Sequence, residues 1–153
     1  MTLDIHSRAP YPSNVLSNFY NHQFKIKVDG EIITIGYMES FMQGIKIEDI
    51  DLQKRVFSMS SIEARQYRTK IKNNTIWFLG KPVSRFSFNY EKIVKRAFEI
   101  MAKQNPYFIK ALLDTKSLRL THTIGKQSKD ETILTEQEFV KILAWLRDKY
   151  GSN

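Results

Sequence analysis

The sequence predicts an α+β fold: a mainly helical single domain with a small antiparallel β-sheet. Three observations predict it. One stretch alternates apolar and charged residues around an Asp-Gly pair, the pattern of a β-hairpin. Several later stretches set apolar residues at helical spacing behind capping signals. The 153 residues also run without an internal repeat, a low-complexity tract or a Gly/Pro/Ser-rich linker, so residues 1–153 read as one unit around one core.

In chain order, residues 23–35 (QFKIKVDGEIITI) form the hairpin. Phe24, Ile26 and Val28 alternate with Lys25 and Lys27, and Asp29-Gly30 supplies the positive φ angles of a tight turn. Tyr37 to Lys46 reads as a short helix without a strong cap. Ser60 with Glu63 is a capping-box pattern, expected to open a basic helix running to about Lys72. Asn89 is placed to cap a helix to about Lys103 whose inward face is Ile93, Ala97, Ile100 and Met101. Asn105-Pro106 restarts a helix at once, because proline is tolerated in the first turn. Leu118 to Gly125 reads as a short strand ending in a loop. Thr135 and Glu138 make a second capping box before an apolar stripe of Phe139, Ile142, Leu143 and Leu146. Trp77 is expected to pack in the core.

Composition narrows the function. The absence of cysteine excludes disulfides, thiolate zinc sites and a cysteine nucleophile. His6, His22 and His122 are scattered, with no i, i+4 pair, so no metal site is expected. The N-terminus lacks the basic start and apolar run of a signal peptide, and no apolar stretch approaches the roughly 20 residues of a membrane span. A cytoplasmic protein with no membrane partner is the expectation. The net charge of +8 is concentrated: Leu52 to Lys103 holds twelve basic and three acidic residues, while the remainder nearly balances. Such a field favours a phosphate, a pyrophosphate or nucleic acid, although a solvated basic face explains the same charge.

Three stretches break the packing pattern. In Leu16-Ser17-Asn18-Phe19-Tyr20, two small hydrogen-bonding groups sit beside apolar anchors. Asn18 is suited to a base edge, and Phe19 or Tyr20 to stacking; a local Ser-Asn turn is the other reading. On a helix, Glu39, Gln43 and Lys46 fall at i, i+4 and i+7 and share one face, while Met38, Phe41, Met42 and Ile45 occupy the others. A carboxylate retained on so apolar a helix needs either a partner or a task. A Glu39–Lys46 pair bridged by Gln43 satisfies the first. Finally, His122 lies between Thr121 and Thr123 and ahead of Gly125, where it can donate to a phosphate or ribose oxygen or simply close a strand.

Taken in order, these pieces resemble the NADAR family of YbiA-like N-glycosidases. The carriers are Leu16-Ser17-Asn18-Phe19, then Glu39, Gln43 and Lys46 after the hairpin, then the basic segment from Ile62 to Lys72. Gln104-Asn105-Pro106, Leu112-Leu113-Asp114-Thr115 and Leu120-Thr121-His122-Thr123 follow, with Phe139 to Arg147 closing a match over roughly residues 14–148. The family's aspartate and Trp-Gly pair after the last strand correspond here to Asp130 alone, without a tryptophan.

The resemblance implies a YbiA/NADAR-like domain that cleaves a bond between ribose C1′ and a nitrogen. Its implied partners are ADP-ribosylated guanine in nucleic acid or a small nucleotide-like substrate such as a phosphoribosylamino-pyrimidine. It implies no cofactor and no metal. Glu39 and Lys46 become the candidate catalytic residues. Lys46 is open to three roles: anion contact, acid for the leaving nitrogen, or Schiff-base former. Ser17, Asn18, Phe19, Gln43 and His122 become candidate substrate contacts, with Asp130 beside them. Arg65, Arg68 and Arg96 are candidates for phosphates. The alternative is a non-catalytic module that binds ADP-ribose, a nucleotide or nucleic acid.

Overall fold

A computed structural model describes residues 1–68 and 70–152. The hairpin forms where the alternation places it. β2 (Phe24–Val28) pairs antiparallel with β3 (Glu31–Ile35) around Asp29 and Gly30, both at positive φ, after a first short strand, β1 (Thr2–Asp4). Phe24, Ile26, Ile33 and Ile35 are buried and Lys25 and Lys27 exposed, which fixes the register by burial.

Helical elements follow local signals in most places. α1 (Ser13–Leu16) is a single turn, and α2 (Met38–Gly44) has every residue buried. α3 (Ile50–Phe57) is capped by the Asp49 side chain, which accepts from the Leu52 N–H at 2.8 Å. α2 packs on α3 so closely that a Cβ on Gly44 would lie 2.4 Å from Phe57 Cδ1. α6 (Pro106–Asp114) restarts directly after α5 (Phe88–Gln104), as the Asn-Pro signal requires. α7 (Glu136–Gly151) opens with a complete capping box of Thr135 and Glu138 and buries Phe139, Leu143 and Leu146, with Ile142 half-buried.

Four expectations are corrected. The capping box of Ser60 and Glu63 forms, but its helix, α4 (Ser61–Ala64), ends after one turn and passes into a 3₁₀ turn over Arg65–Tyr67. Arg65, Gln66, Arg68 and Lys70 are exposed and offer no apolar stripe, and a short helix without tertiary burial is marginal. Thr69, within that stretch, lies outside the described residues. The cap of α5 is Ser87, whose hydroxyl accepts from the Tyr90 N–H at 3.2 Å; Asn89 sits inside the helix. The buried face is accordingly Tyr90, Val94, Ala97, Phe98, Met101 and Ala102, leaving Ile93 and Ile100 half-buried.

The fourth correction concerns the sheets. β4 (Thr75–Phe78) and β5 (Lys81–Ser84) form a second antiparallel hairpin, with Trp77 only half-buried, and β6 (Arg119–Thr121) pairs parallel with β1. The β4–β5 turn places Leu79 at φ 51° and Gly80 at φ 85°. A leucine there costs roughly 1–2 kcal/mol. Buried Gln53 of α3 holds the turn in place: its amide donates to the carbonyls of Gly44 and Trp77 at 3.0 and 2.8 Å and accepts from the Leu79 N–H at 3.0 Å. One apolar cluster runs from Ile5 to Leu146 through all these layers. Among the described residues, no helix is long and apolar enough to cross a membrane.

Candidate functional site

A cleft of about 1000 Å³ opens between α2, the loop before β2, the 3₁₀ turn, and the segments on either side of α7's start. Its floor is a polar row: Glu39 and Gln43 on α2, which ends at Gly44 and not at Lys46 as expected, and Lys46 in the turn that follows. The i, i+4, i+7 spacing becomes a directed chain of bonds: Lys46 Nζ donates to Gln43 Oε1 at 2.7 Å, and Gln43 Nε2 donates to Glu39 Oε1 at 2.6 Å. Gln43 is 4% exposed and Glu39 9%. A carboxylate this buried needs compensation, and the amide supplies it together with the Arg68 guanidinium, whose Nε lies 4.0 Å from Glu39 Oε1. Burial pulls the Lys46 ammonium down to about 8; Glu39's charge opposes that fall and Arg68's adds to it.

The Ser17-Asn18-Phe19 loop is tied to this floor. The Ser17 hydroxyl accepts from the Phe19 N–H at 3.2 Å, a local turn, and the Asn18 carbonyl accepts from the Glu39 N–H at 3.1 Å, occupying one of the free donors of α2's first turn. Phe19 then faces two guanidiniums, with Arg65 Cζ 5.1 Å and Arg68 Cζ 5.2 Å from its ring centroid. The aromatic face and both cations line the cleft, so a ring can stack where a phosphate can also be met.

The opposite wall carries His122. Its Nδ1 donates to the Ile5 carbonyl at 2.8 Å, its backbone N–H donates to Glu136 Oε2 at 2.7 Å, and its ring meets Phe139 edge-on at 5.1 Å. In the neutral form that bond leaves Nε2 as the accepting nitrogen. Below it, residues 131–134 line the cleft and are clamped from behind. Buried Arg85 donates bidentately to Glu138 at 2.6 and 3.0 Å, and to the Thr132 carbonyl through Nε and Nη2 at 3.2 Å each. The Tyr90 hydroxyl donates to the Ile133 carbonyl.

The structure thus gathers Ser17, Asn18, Phe19, Glu39, Gln43, Lys46, Arg65, Arg68 and His122 around one space. Two expected residues stay outside it. Arg96 projects from the exposed face of α5, where it pairs with Glu99 at 2.6 Å, because the neighbouring positions 97 and 98 turn into the core. Asp130 is exposed and accepts from the Ser128 hydroxyl at 3.0 Å; its neighbour Glu131 lines the cleft instead. Tyr20 stands against His22 and Tyr107, with ring centroids 4.6 and 6.2 Å away. Sequence reasoning missed His6, Ser7 and Arg8, Met42 and Lys126. The first three reach the cleft only because β1 pairs with β6, and no local signal announces a three-residue parallel strand. Among the described residues, no three His, Asp, Glu or Cys side chains gather closely enough to hold a metal ion.

The model of one phage family, described as bacteriophage protein GP30.3, matches residues 10–148. The chain belongs to that family. The chain is also similar to a 17.1 kDa protein from the Gp30-rIII intergenic region of Enterobacteria phage T4, 38% identical over 151 residues, which span 95% of this chain and 97% of that one. Among solved structures, the NMR structure of the E. coli protein YbiA shares the fold with a TM-score of 0.63, covering 99% of this chain and 85% of YbiA at 17% identity. The GP30.3 fold is therefore YbiA-like, while the matching family model is that of the phage proteins and not the NADAR family itself.

Proposed function

We propose that this GP30.3-family protein is an N-glycosyl hydrolase. Its substrate would be ADP-ribosylated guanine in nucleic acid or a related phosphoribosylamino-pyrimidine, cut at the ribose C1′–N bond. The observation that carries the proposal is the acid–amide–amine row, its acid and amide buried and its amine half-buried, flooring a cleft with cationic walls. Among the described residues, six cations line that cleft against two carboxylates, which suits a substrate bearing a pyrophosphate.

The chemistry follows from the row. As the C1′–N bond breaks, its electron pair leaves with the nitrogen, which takes a proton from the Lys46 ammonium. Positive charge grows at C1′ and is stabilised by the Glu39 carboxylate. A water oxygen bonds to C1′ and gives its proton to Glu39. Net return of that proton to Lys46 through solvent restores both groups. Gln43, donating to one and accepting from the other, keeps acid and amine apart and aimed. A Lys46 amine attacking C1′ of the opened sugar, or an ammonium that only meets phosphate, would use the same position.

The test is incubation with both substrate types while following released ADP-ribose or ribose phosphate. Glu39→Gln and Lys46→Ala are expected to lose about 10²–10⁴-fold in turnover with a Tm close to wild type. Full activity in both variants would overturn the roles. Borohydride trapping of a lysine adduct separates the Schiff-base route from proton donation. The exposed position of Asp130 outside the cleft favours one second reading, a module that binds ADP-ribose without cleaving it. Calorimetry showing tight ADP-ribose binding and no product from any glycoside would support that reading.

A further inference from the structure

A second hollow of about 390 Å³ opens beside the cleft; apart from Lys46, the residues lining it take no part in the steps above. Lys46 and Lys70 line both spaces, so the two adjoin. The hollow's aromatic residues come from separate elements: Tyr67 ends the 3₁₀ turn and Trp77 sits half-buried in β4. Ile47 and Leu52 add apolar wall, Lys70 and Lys72 are exposed at its margin, and among the described residues Glu48 is the one carboxylate lining it. Aromatic faces beside ammonium groups make a stacking platform for a base together with a seat for its phosphate. The volume lies at the small end of ligand sites, about 300–1,000 Å³, which suits one nucleotide unit. In the sequence, basic and aromatic residues here are not interleaved; the fold assembles them.

We infer that this hollow is a subsite for the nucleotide flanking the target base of a single-stranded nucleic acid, its base against Trp77 and Tyr67 and its phosphate at Lys70 and Lys72. The inference rests on the reading that the main cleft takes the modified base. A strand then continues from cleft to hollow across the shared lysines without leaving the basic surface.

The chain has two tryptophans, Trp77 and Trp145, and the second lies on α7 under the ammoniums of Lys95 and Lys149 at 4.0 and 5.3 Å. Trp145→Phe therefore leaves Trp77 as the sole indole reporter. This variant is titrated with unmodified oligothymidylate and oligouridylate of about eight nucleotides, and with thymidine monophosphate. The expected result is saturable quenching by an oligomer, at least about ten-fold tighter than by the mononucleotide and weakened by salt. The DNA and RNA arms report which strand is preferred. Adding Lys72→Glu, an exposed change that leaves Tm unaltered, is expected to weaken the oligomer about ten-fold. Absence of quenching by either oligomer, equal binding of the mononucleotide, or indifference to Lys72→Glu would each overturn the inference. The probes carry no ribosyl group, so quenching without turnover of any glycoside would remove the hydrolase reading and keep the subsite. Turnover without quenching would do the reverse.

Discussion

Glu39, Gln43 and Lys46 show how far a helical spacing carries and where it stops. The spacing predicts one shared face; α2 ends at Gly44, and burial of Glu39 and Gln43 within it, with Lys46 half-buried in the next turn, makes that face the polar floor of a cleft. The same burial sets the titration of Lys46 near 8, with Glu39 resisting the fall. If Lys46 acts as the proton donor, kcat/KM declines as pH rises through about 8; a neutral-amine nucleophile would give the opposite limb. Glu39→Gln removes the charge that holds the ammonium, so NMR titration of the lysine should find its midpoint lower still. Stability follows with a definite sign. The folded value lies below the ordinary 10.5, so between these pH values the unfolded chain binds more protons and folding gains as pH rises. The Tm difference between wild type and Lys46→Met should therefore move in favour of wild type from pH 7 to pH 10. Ser17-Asn18 likewise honours its local-turn reading, and that turn is what brings Asn18 and Phe19 to the cleft.

Among the elements, the start of α7 does more than cap a helix. Glu138 closes the capping box through the Thr135 N–H at 2.8 Å and simultaneously takes both arms of Arg85. Burial raises the Glu138 carboxyl, but bonds from Arg85 and Thr135 outweigh it and hold the group below its ordinary value. Arg85 reaches from the end of β5 and fastens the Thr132 carbonyl, within the segment 131–134 that lines the cleft. Arg85→Ala strands a partly buried carboxylate and the Thr132 carbonyl, with an expected loss of about 3–5 kcal/mol in chemical denaturation. Because the wall behind the cleft loosens, KM should rise more than kcat falls. Capping boxes were legible at both Ser60 and Thr135, yet only the second continues as a long helix, since only it is followed by an apolar stripe that finds a core. The sequence places the cap of α5 two residues late, because Ser87 and Asn89 are both competent and the choice falls to the residue that lets Tyr90, Val94 and Phe98 face inward.

Across the whole molecule, the two halves of the cleft are joined by its smallest sheet. Asp4 accepts from the Thr121 hydroxyl at 2.9 Å and from the Thr123 N–H and hydroxyl at 2.8 and 2.9 Å, while Ile5 fixes His122 across 117 residues. Asp4→Ala should lower Tm and reduce turnover together, and the His122 ring signals should broaden in NMR as its support is lost. Legible in the chain alone are the first hairpin, the existence and order of α2, α5, α6 and α7 with the first turn of α4, and the spacing that aligns acid, amide and amine. Those features rest on turn chemistry, capping and periodicity, which act over a few residues. Contacts across the fold set the burial of α2, the solvent-facing position of Arg96, the left-handed turn at Leu79 held by Gln53, and the arrival of His6, Ser7 and Arg8 in the same cleft as Phe19. Each depends on contacts between segments far apart in the chain, where burial of apolar area and satisfaction of buried polar groups override local preference.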